Sequence, residues 1–406
     1  MAEIREFRAL EFNKDLIKDL SDVICPPYDI ISNNSRSKFI DISPYNAIRL
    51  ELPSRSDESA FKEWRQRNVL IRDKEEGMYI YEEKFNIDGV EKSVRGIICL
   101  VKLEDFPNKV ILPHEYTLTK AKQGRLELLK NTFCNFSPIY CVYEDKTKQV
   151  ENIISDVSNK TEDMLAKSTD EIIHKVWKIT NKEKIKLLKA LLKSCRLYIA
   201  DGHHRYETAL NFRNWCRDNN IKNSSDYVMM WLVDKTSDGI EILPTHRVVK
   251  NIEGFDYKNL LRSCEKYFDI GWVGSLDEAN EFLVDMDGSD NISFVLYTKE
   301  GGFYTIKLKG SSGEKIGVEV LHELILKGAL GISTEKLLLQ KNLEYTRNKK
   351  EAIRLVSTGD ANCAFLLNPT KISQICNIAD AGKRMPQKST YFYPKPITGM
   401  IMNLID

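Results

Sequence analysis

Apolar residues alternate with polar ones over short runs along this chain, and between those runs they recur with helical period. That combination predicts a mixed α/β protein. Met78-Tyr79-Ile80-Tyr81 and Val94 to Val101 predict strands, with Asp88-Gly89 between them as a tight hairpin turn. Residues 57–72 predict a helix carrying Phe61, Trp64, Val69 and Leu70. Residues 121–132 predict another, followed by a strand at Ile139 to Tyr143. From 145 to 194 the pattern is charged and helical. Its last helix puts Ile185, Leu188, Leu191 and Leu192 on one face and lysines on a solvated face. Arg196 to Ala200 then predicts a strand, Asp201-Gly202 a turn, and Arg205 to Phe212 a helix. Strands over 227–233 and 240–249 flank an Asp238-Gly239 turn.

Other segments are shaped by their breakers. Cys25-Pro26-Pro27-Tyr28-Asp29 cannot lie inside a helix, so the stretch before Pro53 reads as loop-rich. Residues 109–120 read as a polar loop around Pro113-His114-Glu115-Tyr116-Thr117. Further on, Ile292 to Thr298 and Phe303 to Leu308 predict a hairpin, and 315–328 a helix. Helix, strand and helix follow at 347–357, 363–367 and 370–382, and an aromatic strand at Tyr391-Phe392-Tyr393. We expect an α/β core over 1–250, an α+β accessory region over 251–340, and a C-terminal α/β segment over 341–406 packing back on the core.

Composition narrows the function classes. The 406 residues are 42% hydrophobic and 29% charged, which allows a sizeable core and disfavours disorder. Net charge is +1, so nothing global draws the chain to nucleic acid or to an acidic membrane. The nine cysteines form no C-x-x-C pair, and several sit in apolar runs, as reduced core thiols do. The first residues lack the apolar stretch of a signal peptide, and no apolar run approaches the ~20 residues of a membrane span. A cytoplasmic protein is expected.

The chemistry concentrates at Asp201-Gly202-His203-His204-Arg205. The chain has six histidines, and two of them are adjacent here. Gly202 permits a tight turn between strand and helix and a close approach of ligand to backbone. The helix start offers N–H groups and the positive end of its dipole to an anion. Arg205 can grip a phosphate through two nitrogens, His203 and His204 can donate to phosphoryl oxygens or move a proton, and Asp201 can hold a metal or take a proton. His174 and His322 read as packed residues. The sequence has no P-loop, no G-x-G-x-x-G, no H-E-x-x-H, no structural zinc spacing and no G-x-S-x-G, so those frameworks are excluded.

These motifs, in this order, resemble a bacterial and archaeal family, domain-of-unknown-function family 1015. The resemblance covers nearly the whole chain. It is carried by Pro26-Pro27-Tyr28-Asp29, His114-Glu115 with Thr117, Arg125, His174 with Trp177, Ala200 to Tyr206, Pro244-Thr245-His246-Arg247, and Met385 to Tyr393. One departure is Gly124, where an acidic residue is expected before Arg125. The central motif is also similar to the phosphate-holding turn of the ParB/sulfiredoxin superfamily. It looks closest to the Asp-Gly-His-His-Arg of archaeal free serine kinases. The resemblance implies a ParB/sulfiredoxin-like nucleotide-binding core carrying the extra α+β region.

A nucleotide-dependent small-molecule kinase is therefore the leading expectation, with ATP or ADP and Mg²⁺ as cofactors and a hydroxyl metabolite such as serine as acceptor. Asp201, His203 and His204 take catalytic roles with Glu115 as base, and Asp201 holds the metal. Gly202, His204 and Arg205 contact phosphate, Arg125 contacts phosphate or an acceptor carboxylate, and His246, Arg247 and Lys388 close the site. The alternatives are a nucleotide-gated switch of ParB type and a phosphohydrolase. The expected partners are nucleotide and a small-molecule substrate, with no nucleic acid and no membrane, and self-association is compatible with the sequence.

Overall fold

A computed structural model describes residues 1–117, 119–287, 291–310, 315–338 and 341–406. Residue 118, within the expected 109–120 loop, lies outside the described residues, as do 288–290, 311–314 and 339–340 of the expected accessory region. The protein is mixed α/β and forms two compact units. The first contains Met1–Pro113, Thr117–Glu241 and Phe392–Asp406, and the second His114–Tyr116 and Ile242–Tyr391. No helix among the described residues is long and apolar enough to cross a membrane.

The first unit is built on a nine-stranded mixed sheet. In chain order its strands are β1 (Ile4–Arg5), β2 (Met78–Ile87), β3 (Val90–Lys102), β4 (Ile111–Leu112), β5 (Ile139–Tyr143), β6 (Met164–Lys167), β7 (Ile173–Ile179), β8 (Leu197–Asp201) and β9 (Tyr227–Asp234). Their order across the sheet is β4-β8-β5-β9-β3-β2-β7-β6, with β1 beside β3. The β4/β8 and β5/β9 pairs are parallel and the others antiparallel. The β2–β3 hairpin turns on Asp88 and Gly89, both at positive φ, as the sequence predicts.

Strand alternation gives this sheet two unlike faces. One carries Met78, Ile80, Ile97, Cys99, Ile139, Cys141, Met230 and Leu232 in the main hydrophobic core. After α1 (Thr119–Thr132), helices α2 (Gln149–Ser158), α3 (Lys182–Leu192) and α4 (His203–Asp218) bury Ile153, Leu188 and Tyr206 against it. The other face carries Tyr79, Tyr81, Glu83, Ile98, Trp231, Tyr140 and His174, linked by cross-strand register. Segment 392–397 crosses this second face: Phe392 packs edge-on against Tyr140 and Tyr393 against Phe85. Gly96 lies on this face opposite Tyr81. A Cβ there would stand 2.3 Å from the Leu232 carbonyl and 2.7 Å from the Trp231 indole nitrogen, so only glycine admits that indole.

Several expectations are corrected locally. The helix over 57–72 shortens to Ala60–Gln66, and Asn68 at positive φ turns the chain into a strand, Leu70–Arg72. That strand pairs with Leu10–Phe12, so long-range pairing overrides helical period for Val69 and Leu70. The charged stretch 145–194 hides the hairpin β6–β7, whose more solvated side carries Lys167 and Lys175. The loop-rich N-terminal stretch contains helices at Asn33–Ile42 and Ile48–Glu51. Pro244 divides the strand expected over 240–249 into Glu241–Ile242 and His246–Val249.

The second unit holds a six-stranded antiparallel sheet. His246–Val249, expected with the core, pairs there with Leu343–Thr346 and Cys363–Leu366. The predicted hairpin is present as Ser293–Thr298 and Gly302–Leu308. Helices Leu276–Asp287 and Lys349–Thr358 supply Ala279, Leu283, Ala352 and Val356 to its core.

Candidate functional site

Strand β8 buries Leu197 and Ile199 in the main core, and simple alternation would send Asp201 after them. Instead Ile199 pairs with Cys141 while Asp201 pairs with Tyr140, the next residue along the partner strand. The extra residue, Ala200, is a β-bulge, and it re-aims Asp201 to the opposite face. Gly202 then caps α4 at φ 97°, a conformation that L side chains avoid. Its built Cβ would meet the Arg205 guanidinium at 3.0–3.2 Å. Gly202→Ala is therefore expected to cost about 1–2 kcal/mol through the positive φ alone. A shift in the urea midpoint at constant m-value would report it.

Asp201 sits between two cations. Arg205 donates to Oδ2 at 2.6 Å and the Lys395 ammonium approaches Oδ1 at 2.7 Å. Lys395 also donates to Asp29, so the two carboxylates share one ammonium. The Lys395 side chain is only 6% exposed. Burial opposes ionisation of Asp201, but Lys395 and Arg205 outweigh it and hold the carboxyl well below its usual range. Burial likewise opposes charge on Lys395, and Asp201 with Asp29 raises the ammonium above its ordinary value. His203 is buried and adds to the field that keeps Asp201 ionised, while His204 is half-buried in the first turn of α4.

The structure gives Arg205 a supporting task. Besides Asp201, it donates to the Ser137 hydroxyl at 2.9 Å and to the Pro138 carbonyl at 2.5 Å. Arg125, on the helix Thr119–Thr132, donates to the Glu51 carbonyl at 2.8 Å and its carboxylate at 3.3 Å. Its guanidinium lies 4.3 Å from the centre of the Tyr28 ring. Glu51, Arg125, Ser137, Arg205 and Thr208 line one cavity of about 60 Å³. The Thr208 hydroxyl there has no protein partner, which suits ordered water.

The remaining sequence candidates belong to the second unit. Glu115 accepts from the amides of Lys388, Ser389 and Thr390 at 2.8–3.2 Å and from the Thr390 hydroxyl at 2.8 Å. It thereby fixes a turn in which Lys388 has positive φ. Burial outweighs those bonds and raises its carboxyl above the ordinary value. His246 is fully buried, accepts from the Leu367 amide through Nδ1 at 3.1 Å, and is pushed down by burial to about 3. Arg247 is also fully buried. It donates to the carbonyls of Thr245 and Lys388 and lies over the Tyr345 ring. The structure thus brings Asp201 to Arg205 together with Arg125's unit, and holds Glu115, His246, Arg247 and Lys388 in the other.

Asp29 and Lys395 are the site residues that residue-level reasoning missed. Asp29 was visible in Pro26-Pro27-Tyr28-Asp29. Lys395 stands between Pro394 and Pro396 directly after the aromatic run, and two flanking prolines are a signal that its backbone is fixed.

No curated protein matches the chain. Among solved structures, it is similar to a free serine kinase in complex with AMP, with 14% identity and a TM-score of 0.38 over 75% of this chain and 91% of that one. It is also similar to a conserved hypothetical protein from Pyrococcus furiosus, with 13% identity and a TM-score of 0.38 over 74% and 94%. A third similarity is to SbnI with C-terminal truncation from Staphylococcus aureus, with 11% identity and a TM-score of 0.38 over 75% and 86%. The family described as a protein of unknown function, DUF1015, matches residues 4–327, and the chain belongs to that family.

Proposed function

We propose that this protein binds a nucleotide's phosphates at the mouth of α4 and transfers a phosphoryl group to the hydroxyl of a small metabolite. The observation that carries this reading is the placing of Asp201: re-aimed by the bulge, held ionised by Lys395 and Arg205, and followed at once by the N-terminus of α4. Helix N-termini favour phosphate through oriented N–H groups and the helix dipole. Phosphoryl transfer needs little more from a protein than positioning and charge neutralisation.

In this reading the Lys395 ammonium faces the transferring group and Arg205 keeps Asp201 in place. Asp29, whose side chain is 31% exposed, takes the proton from the acceptor hydroxyl. The acceptor oxygen bonds to phosphorus as the bond to the leaving phosphate breaks. Asp29 replaces Glu115 in this role because the oxygens of Glu115 are already engaged by residues 388–390. No group of three or more His, Cys, Asp and Glu able to hold a metal occurs among the described residues. The Asp201 carboxylate keeps lone pairs beside Arg205 and Lys395, which fits an ion such as Mg²⁺ that binds through one carboxylate plus substrate phosphates. Asp201 would hold it, leaving Asp29 as the base, and its charge would offset that of the phosphates.

The test is incubation with ATP or ADP, Mg²⁺ and a panel of hydroxyl compounds, serine first, with products read by ³¹P NMR. We expect one phosphorylated product, formed at least ~100-fold more slowly by Asp29→Asn, the low end of what general-base catalysis supplies. No product from any compound, together with no calorimetric binding of nucleotide, overturns the reading.

A further inference from the structure

The second face of the large sheet holds a polar group that packing does not require. The Tyr81 hydroxyl lies 2.9 Å from Glu83 Oε1 and 2.7 Å from His174 Nδ1. It also accepts the Ile397 amide at 3.2 Å. Glu83 and His174 face each other across β2 and β7, and neither is exposed to solvent. The His174 ring stacks on Tyr81 and the Trp231 ring meets Tyr81 edge-on. Glu83 Oε2 and His174 Nε2 are buried without a protein partner. Polar groups buried in this way are costly, so their presence calls for a task.

Proton counting decides the state of the chain. A tyrosine hydroxyl has one proton and cannot donate to both neighbours. With the Ile397 amide already donating to it, one neighbour must donate as well. If His174 donated, Glu83 would be either an ionised carboxylate with a single hydrogen bond or an acid whose own proton has no acceptor, and in a dry interior both are expensive. The neutral order runs from the Glu83 carboxyl to the Tyr81 oxygen, and from the Tyr81 hydroxyl to His174 Nδ1. Burial supports it: the Glu83 carboxyl is pushed up to about 8 and the His174 imidazole down to about 3.

We propose that Tyr81, Glu83 and His174 are positioning residues that hold Lys395 in place by fixing the main chain at Ile397. Ile397 is two residues beyond Lys395, on the segment that crosses this face from Phe392. Tyr81 is bound on three sides, so its hydroxyl is a fixed post. The Ile397 amide hangs on that post, and the Lys395 ammonium is thereby set between Asp29 and Asp201. This proposal rests on the reading that Lys395 serves the phosphate site.

The experiment uses the full chain and two readouts that need no activity, amide hydrogen exchange of a peptide spanning Ile397 and labelling of Lys395 by an amine-reactive reagent. In the unaltered protein both are expected to be slow, from the Ile397 hydrogen bond and the burial of Lys395. Tyr81→Phe, which removes only an oxygen, and Glu83→Leu should each speed both at least tenfold while the fold persists by circular dichroism. Glu83→Gln, which can still donate to Tyr81, should restore protection. Calorimetric AMP binding is measured alongside. Faster exchange in Tyr81→Phe with no AMP binding by the unaltered protein leaves the positioning role standing and removes the phosphate site. Unchanged exchange and labelling in Tyr81→Phe overturns the positioning role, whatever AMP does.

Discussion

Asp201→Ala is expected to unfold about 3–5 kcal/mol more easily than the unaltered protein at neutral pH, the usual cost of deleting one partner of a buried ion pair. The change leaves the Lys395 and Arg205 cations in a buried site with one carboxylate fewer. The pH dependence has a fixed sign. The Asp201 carboxyl is depressed in the folded protein, so its stabilisation is complete above the unfolded value of about 3.9 and is lost as pH falls through the folded value. Urea midpoints for the two proteins should therefore stay far apart from pH 5 to 8 and converge only under strong acid. Equal midpoints at pH 7 would show that the Asp201 contacts contribute nothing net.

Lys395→Met has the opposite signature. It leaves the Asp29 and Asp201 carboxylates near each other without the ammonium that joins them. Repulsion and burial then favour proton uptake by one of them. We expect a loss of about 3–5 kcal/mol at pH 8, partly recovered near pH 4. In the unaltered protein the ammonium is raised, so its stabilisation is full below about 10.4 and is lost only as pH rises through the higher folded value. If Lys395 faces the transferring phosphoryl group, the same change lowers turnover by about 10²–10³, the range for removing one preorganised electrostatic contact. A variant that is destabilised but turns over normally would give Lys395 a structural role only.

The sequence made the strand–turn–helix around Asp201 legible because three local signals agree there: an apolar run, a glycine and a following amphipathic segment. The β2–β3 hairpin was legible for the same reason, with Asp88-Gly89 between alternating runs. Features set by the partner strand stayed hidden. Nothing in Leu197 to Asp201 announces the bulge at Ala200, since it exists only as a mismatch with Cys141 and Tyr140. The hairpin β6–β7 reads as helix because its strands are short and carry Lys167, Lys175 and Lys178 within a charged stretch, and lysine suits either element on a solvated face. Glu115 looked like a base because a carboxylate beside histidine invites that role. Its real neighbours, the amides of 388–390, are far away in sequence. Lys395 was passed over because its two carboxylates come from positions 29 and 201.

That wide spacing has a consequence for biosynthesis. A ribosome makes position 29 first, 201 much later and 395 last of the three, so both acids emerge long before the base that reconciles them. Contacts of such high sequence separation are among the slowest to form. The nascent chain can hydrogen-bond the β2–β3 hairpin early, yet Asp29 and Asp201 gain their shared ammonium only when the segment from Phe392 lies down across the sheet.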